Sequence, residues 1–77
     1  MATKNMTSRI SLAKKAVAKC VKDGVLTQDE ADDLVASHTA DDGTVNWTGV
    51  LTFLQGLVAE LPAILAFITQ LIPLFGG

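Results

Sequence analysis

The residues of this chain that could do chemistry are few. It has one cysteine, Cys20, and one histidine, His38. Nucleophilic catalysis needs a thiol or hydroxyl beside a base that a third group orients, and no serine–histidine–acid set with a supporting motif is present. A structural zinc site takes four Cys or His ligands, twice what the chain holds. No glycine loop of phosphate-binding spacing occurs. The carboxylates Asp29, Glu30, Asp32 and Asp33 are spaced to decorate a solvated helix face. No catalytic residue, metal ligand or cofactor is assigned, and the expectation is a non-enzymatic protein without a small-molecule substrate.

Two acidic stretches invite a calcium reading. Asp23-Gly24-Val25-Leu26 followed by Glu30 resembles half of an EF-hand loop, but Lys19 and Val21 stand where earlier oxygen ligands are required. Asp41-Asp42-Gly43 lacks a bidentate glutamate at the right distance. Cys20 lies on the apolar stripe of its segment and reads as a small buried hydrophobe. His38 reads as a residue near a helix C-terminus, where a cation is mildly favoured.

Charge is segregated along the chain. All six basic residues precede position 23, and all eight acidic residues, Asp23 to Glu60, lie at or beyond it. A net charge of −2 therefore conceals a basic head, an acidic middle and a tail uncharged after Glu60. Charged residues make up 18% of the chain, against about 25% in ordinary soluble proteins; the deficit falls on the tail. The N-terminus has no apolar h-region and is not a secretory signal, although it is basic and acid-free like a mitochondrial presequence.

These residues are carried by helices. Thr7 or Ser8 is expected to cap a helix over about 7–22, with Ile10, Ala13, Val17, Cys20 and Val21 on one stripe and Lys15, Lys19 and Lys22 opposite. Gly24 ends it. Thr27 with Glu30 forms a capping box opening a helix over about 28–38, whose apolar stripe is Ala31, Leu34, Val35 and His38. A short link makes the two an antiparallel hairpin. Residues 39–45 form a turn, and Asn46 is the N-cap of a third helix.

From Trp47 onward an apolar pattern repeats every seventh residue: Trp47, Leu54, Leu61, Ile68 and Phe75, then Val50, Leu57, Ile64 and Leu71. The pattern passes through Pro62 without a slip. The expectation is one long apolar helix over about 47–75, kinked at Pro62, with Pro73 and Gly76-Gly77 ending it. The alternative is a tail folded back at Pro62 as a fourth helix. The expected fold is thus all-α: a polar hairpin in 1–45 and a membrane-spanning or oligomerising helix in 46–77, making one structural unit. The hairpin looks too short to cover the second half of such a helix, so the tail would need cover from outside.

Such a helix implies particular contacts. Trp47, Leu54, Leu57, Leu61, Ile64, Ile68, Leu71 and Phe75 would meet lipid or other copies. Gly49, Thr52, Gly56, Ala59, Ala63 and Ala66 would allow close helix packing. Glu60 and Gln70 would be polar groups within a span. Lys15, Lys19 and Lys22 are candidates for contact with anionic headgroups. The lack of aromatic residues on that stripe argues against nucleic acid.

The functional expectation is a small, self-associating structural protein with a membrane-inserting C-terminal helix, a homo-oligomer at a membrane or in a virion. Its layout resembles that of phage coat, virion-membrane and holin-like proteins, with no motif shared. Two other readings are a soluble, cytoplasmic oligomerisation module, forming a bundle or filament, and a pore-forming or antimicrobial peptide.

Overall fold

The computed structural model describes the backbone of residues 2–76 and the side-chain environments of residues 9–75. Among these the chain forms four helices: α1 Ala2–Lys22, α2 Gln28–Ser37, α3 Trp47–Leu57 and α4 Pro62–Gly76.

The first half obeys its local signals closely. α1 closes in a Schellman arrangement: Val25 N donates to Cys20 O at 2.8 Å and Gly24 N to Val21 O at 3.1 Å. That geometry needs the left-handed φ of +81° at Gly24, which lacks the Cβ that would resist it. α2 opens with the full capping box, Glu30 N donating to Thr27 Oγ1 at 3.1 Å and Thr27 N to Glu30 Oε1 at 2.9 Å. Between α2 and α3, an isolated antiparallel bridge pairs Thr39 with Val45 around a turn holding Gly43 at φ +88°. Asn46 caps α3 by accepting from Gly49 N at 3.1 Å. α1 begins at Ala2, so Thr7 and Ser8 lie inside the helix rather than at its cap.

The second half departs from expectation. The single kinked helix over 47–75 is not formed. α3 ends at Leu57, with Val58 N donating to Leu54 O, and a tight turn carries Leu61 N to Val58 O at 2.8 Å. Pro62 is the first residue of α4, where its missing N–H is an orphan in any helix and its fixed φ suits the start. The seven-residue phase survives because the break, Val58–Leu61, is four residues, close to one helical turn. Pro73 does not stop the chain: it sits inside α4, which continues to Gly76.

α4 then turns back and packs against both α3 and α1, while α2 packs on α1. Arg9 Nη1 donates to Leu74 O at 2.9 Å, joining the early part of α1 to the end of α4. The core draws on every helix: Ala13, Ala16 and Cys20 from α1, Ala31 and Leu34 from α2, Trp47, Val50, Leu51 and Leu54 from α3, and Ile64, Ile68 and Leu71 from α4. Ile64, Ile68 and Leu71 retain 5%, 0% and 3% of their accessible surface. The expectation that the tail must be covered from outside is therefore overturned: the fold at Pro62 lets α1 and α3 cover it. Among the described residues no helix is long and apolar enough to cross a membrane. α4, at 15 residues, is about 22 Å long, short of the roughly 30 Å hydrocarbon layer.

Candidate functional site

What the core leaves outside is unevenly distributed. The large hydrophobic side chains that stay exposed are Phe53 (50%), Leu57 (44%), Leu61 (41%) and Leu74 (42%). All four belong to the α3–α4 hairpin. The outer face of α4 continues the pattern with Pro62, Ala63, Ala66, Thr69, Gln70 and Pro73, none charged. Glu60, in the turn, is the only ionisable side chain from Trp47 to the C-terminus.

Two grooves flank this face. One lies between α2 and α3, an open cleft of about 660 Å³. Leu26, Leu34, Phe53 and Leu57 give it an apolar lining, and Glu30 and Asp33 add carboxylates. The other lies between α1 and α4, where Lys15, Lys19 and Lys22 stand along half-buried Phe67 around about 520 Å³. The two share no residue.

The side chains singled out by periodicity separate in the fold. Trp47, Leu54, Ile64, Ile68 and Leu71 are buried within the chain, Phe75 is half-buried, and Leu57 and Leu61 are exposed. Of the small residues, Thr52, Gly56, Ala59, Ala63 and Ala66 are on the surface. Gly49 alone makes a close approach, since a Cβ there would lie 2.7 Å from His38 Cδ2. Glu60 and Gln70 are exposed, as are Lys15, Lys19 and Lys22. Among the described residues the one ion pair is Lys19 with Asp23 at 3.8 Å, so the lysines of α1 are not neutralised by the carboxylates of α2. Spacing picks out Leu34 and Leu57 of the acidic cleft, but does not bring them together with Phe53. Phe53 and Leu74 merely widen the apolar side of their segment, and the pairing of Phe53 with α2 depends on a contact between segments distant in sequence.

The reactive groups are occupied structurally. Cys20 is fully buried, and burial, with a smaller contribution from nearby Asp23, pushes its thiol pKa up; Lys19 opposes this. A thiol held protonated is a poor nucleophile. His38 Nδ1 lies 2.9 Å from Leu34 O, and a carbonyl only accepts, so Nδ1 carries the hydrogen. The Ser37 hydroxyl, 3.3 Å from the same nitrogen, donates to Leu34 O at 2.9 Å. Nδ1 therefore cannot take the serine proton as a general base. In the exposed turn, Asp42 accepts from Thr44 N at 2.9 Å, and the backbone and side chain of Thr44 hold its carboxyl below the usual range. Among the described residues no three His, Cys, Asp or Glu side chains cluster as a metal site would require.

Comparison with protein families, characterised proteins and solved structures finds no match to this chain. Its surface is therefore the one guide to function.

Proposed function

We propose that this protein is a non-enzymatic, self-associating structural module directed to membranes, with the α3–α4 hairpin as its lipid-facing half. One observation carries the reading: the four exposed large hydrophobics all sit on that hairpin, whose only charge is Glu60. Exposed large apolar side chains gathered on one nearly uncharged hairpin mark an interaction face. The lysines of α1 stand beside Phe67 of the same hairpin, a pairing of basic and apolar groups that suits apolar insertion beneath anionic headgroups.

The mode is attachment in the interface rather than a span. Burying the exposed part of each large side chain contributes about 1 kcal/mol, and each lysine near an anionic surface about 1 kcal/mol. Together they support reversible, micromolar binding that depends on anionic lipid.

Co-sedimentation with phosphatidylglycerol and phosphatidylcholine vesicles tests it. The chain should pellet with the anionic vesicles, and Leu57→Glu with Leu74→Glu should keep it in the supernatant. A wild-type chain that stays in the supernatant at millimolar anionic lipid would refute the reading.

A second reading has its own support. Because Ile64, Ile68 and Leu71 are enclosed by the chain's own helices, the core needs no lipid, and the same exposed face could serve a soluble oligomerisation module. That reading expects a defined oligomer without detergent and no vesicle binding.

A further inference from the structure

α1 and α2 are of opposite charge. The charged residues of α1 are all basic, and those of α2, namely Asp29, Glu30, Asp32 and Asp33, are all acidic. Neighbouring helices of opposite sign would be expected to neutralise each other. Here, among the described residues, no ion pair joins them. Lys14 and Asp32 line a shared groove between the two helices, but the other charges border apolar grooves of one sign: Glu30 and Asp33 beside Phe53 and Leu57, Lys15 and Lys22 beside Phe67. Both grooves pair greasy lining with one sign of charge, and they are built on different helix pairs, so one molecule cannot close its own two grooves together.

From this complementarity we infer that a second copy of the chain docks head to tail, the lysine groove between α1 and α4 of one molecule seating on the acidic cleft between α2 and α3 of the next. The contact deepens the self-associating part of the proposed function and needs no lipid. It is heterologous: a docked pair keeps one free face of each kind, so growth continues to a closed ring or an open filament. A standard interface takes about 800 Å² from each partner, roughly a sixth of the 5029 Å² that this chain exposes, so one such contact fits on each side. Two half-apolar grooves rimmed by exposed charge make a contact of the weaker, salt-sensitive kind.

Sedimentation velocity and light scattering on the full chain, without detergent, test this over a concentration series in 50 and 500 mM salt. The average mass should rise with concentration and fall back at high salt. Two variants then separate the faces, both at exposed positions: Lys15→Glu with Lys22→Glu on the basic side, and Asp33→Lys with Leu57→Lys in the acidic cleft. Helix content by circular dichroism confirms that each folds. Either variant alone should be monomeric, and mixing the two should restore association, because each supplies the face that the other lacks. A wild-type chain that is monomeric throughout overturns the inference. So does an oligomer indifferent to both variants, or a mixture that stays monomeric. Indifference to both variants would leave self-association standing through other surfaces, and vesicle binding is read independently of all three results.

Discussion

Gln55 Nε2 donates a hydrogen bond to Thr69 Oγ1 at 3.1 Å, tying α3 to α4 across fourteen residues. In a continuous helix those positions would be about 21 Å apart. The contact therefore belongs only to a chain that has reversed between Val58 and Leu61, and it gives that reversal a direct measurement. In a Cys20→Ala background, Gln55→Cys with Thr69→Cys should be bridged within one molecule by a short bis-maleimide. Mass spectrometry of the monomer band reports the product; a straight helix would give cross-links between molecules only.

The closed tail predicts unequal costs along α4. Ile68 has no exposure, whereas Leu74 keeps 42% of its surface. Ile68→Ala removes buried methyl groups and leaves a cavity, at a cost of about 2–5 kcal/mol. Leu74→Ala should change stability by no more than about 0.5 kcal/mol, and the Arg9 bond to its backbone carbonyl persists. Urea midpoints of the two variants should separate widely. Equal, small effects would mean that α4 is not packed on its own chain.

Gly49 and His38 should be coupled. A methyl group at position 49 would come within 2.7 Å of His38 Cδ2 and 2.8 Å of Asn46 Nδ2. The imidazole cannot swing away freely, because Nδ1 is bonded to Leu34 O. Gly49→Ala is expected to destabilise by about 1–3 kcal/mol despite alanine's better helix propensity. Adding His38→Ala should recover part of that loss, and the non-additivity of a double-mutant cycle measures the contact.

Cys20 reports the integrity of the core. Its buried thiol should resist alkylation by iodoacetamide in the folded chain and react promptly in denaturant. The pH dependence has a definite sign. The folded thiol pKa is raised, so the unfolded chain ionises first. Stability from this group is fully present below the ordinary thiol range, about pH 8.5, and is lost as pH rises through the folded value. Denaturation midpoints should decline above about pH 8.5 more steeply for the wild type than for Cys20→Ser.

The capping box offers a local test. Thr27→Ala leaves Glu30 N without its side-chain acceptor and should cost about 1 kcal/mol. The loss should appear as reduced protection of the first amides of α2 in hydrogen exchange. Protection that did not change would show that packing of Ala31 and Leu34, rather than the cap, holds that end.

Much of this architecture is legible in the order of residues wherever a short-range interaction decides it. Gly24 after an amphipathic run, Thr27 with Glu30, and Asn46 ahead of Trp47 mark their helix boundaries because each satisfies backbone groups within a few residues. The apolar faces of α1 and α2 are readable for the same reason. The break at Pro62 is not, because Pro62 serves equally as a kink in a long helix and as the opening residue of a new one, and a four-residue turn keeps the seven-residue phase. Only packing decides between them: Ile64, Ile68 and Leu71 reach cover on α1 and α3 when the chain folds back, and have none when it runs straight. The same long-range event sorts the apolar stripe into a core and a surface. Leu54 goes inside while Leu57 and Leu61 stay out, and Phe53 is brought to the carboxylates of α2. Residue types and their spacing thus settled that the chain is all-helical, where α1 ends, where α2 and α3 begin, and which faces are apolar. Tertiary structure alone settled which of those faces the molecule hides in itself, because that depends on the cover distant segments provide.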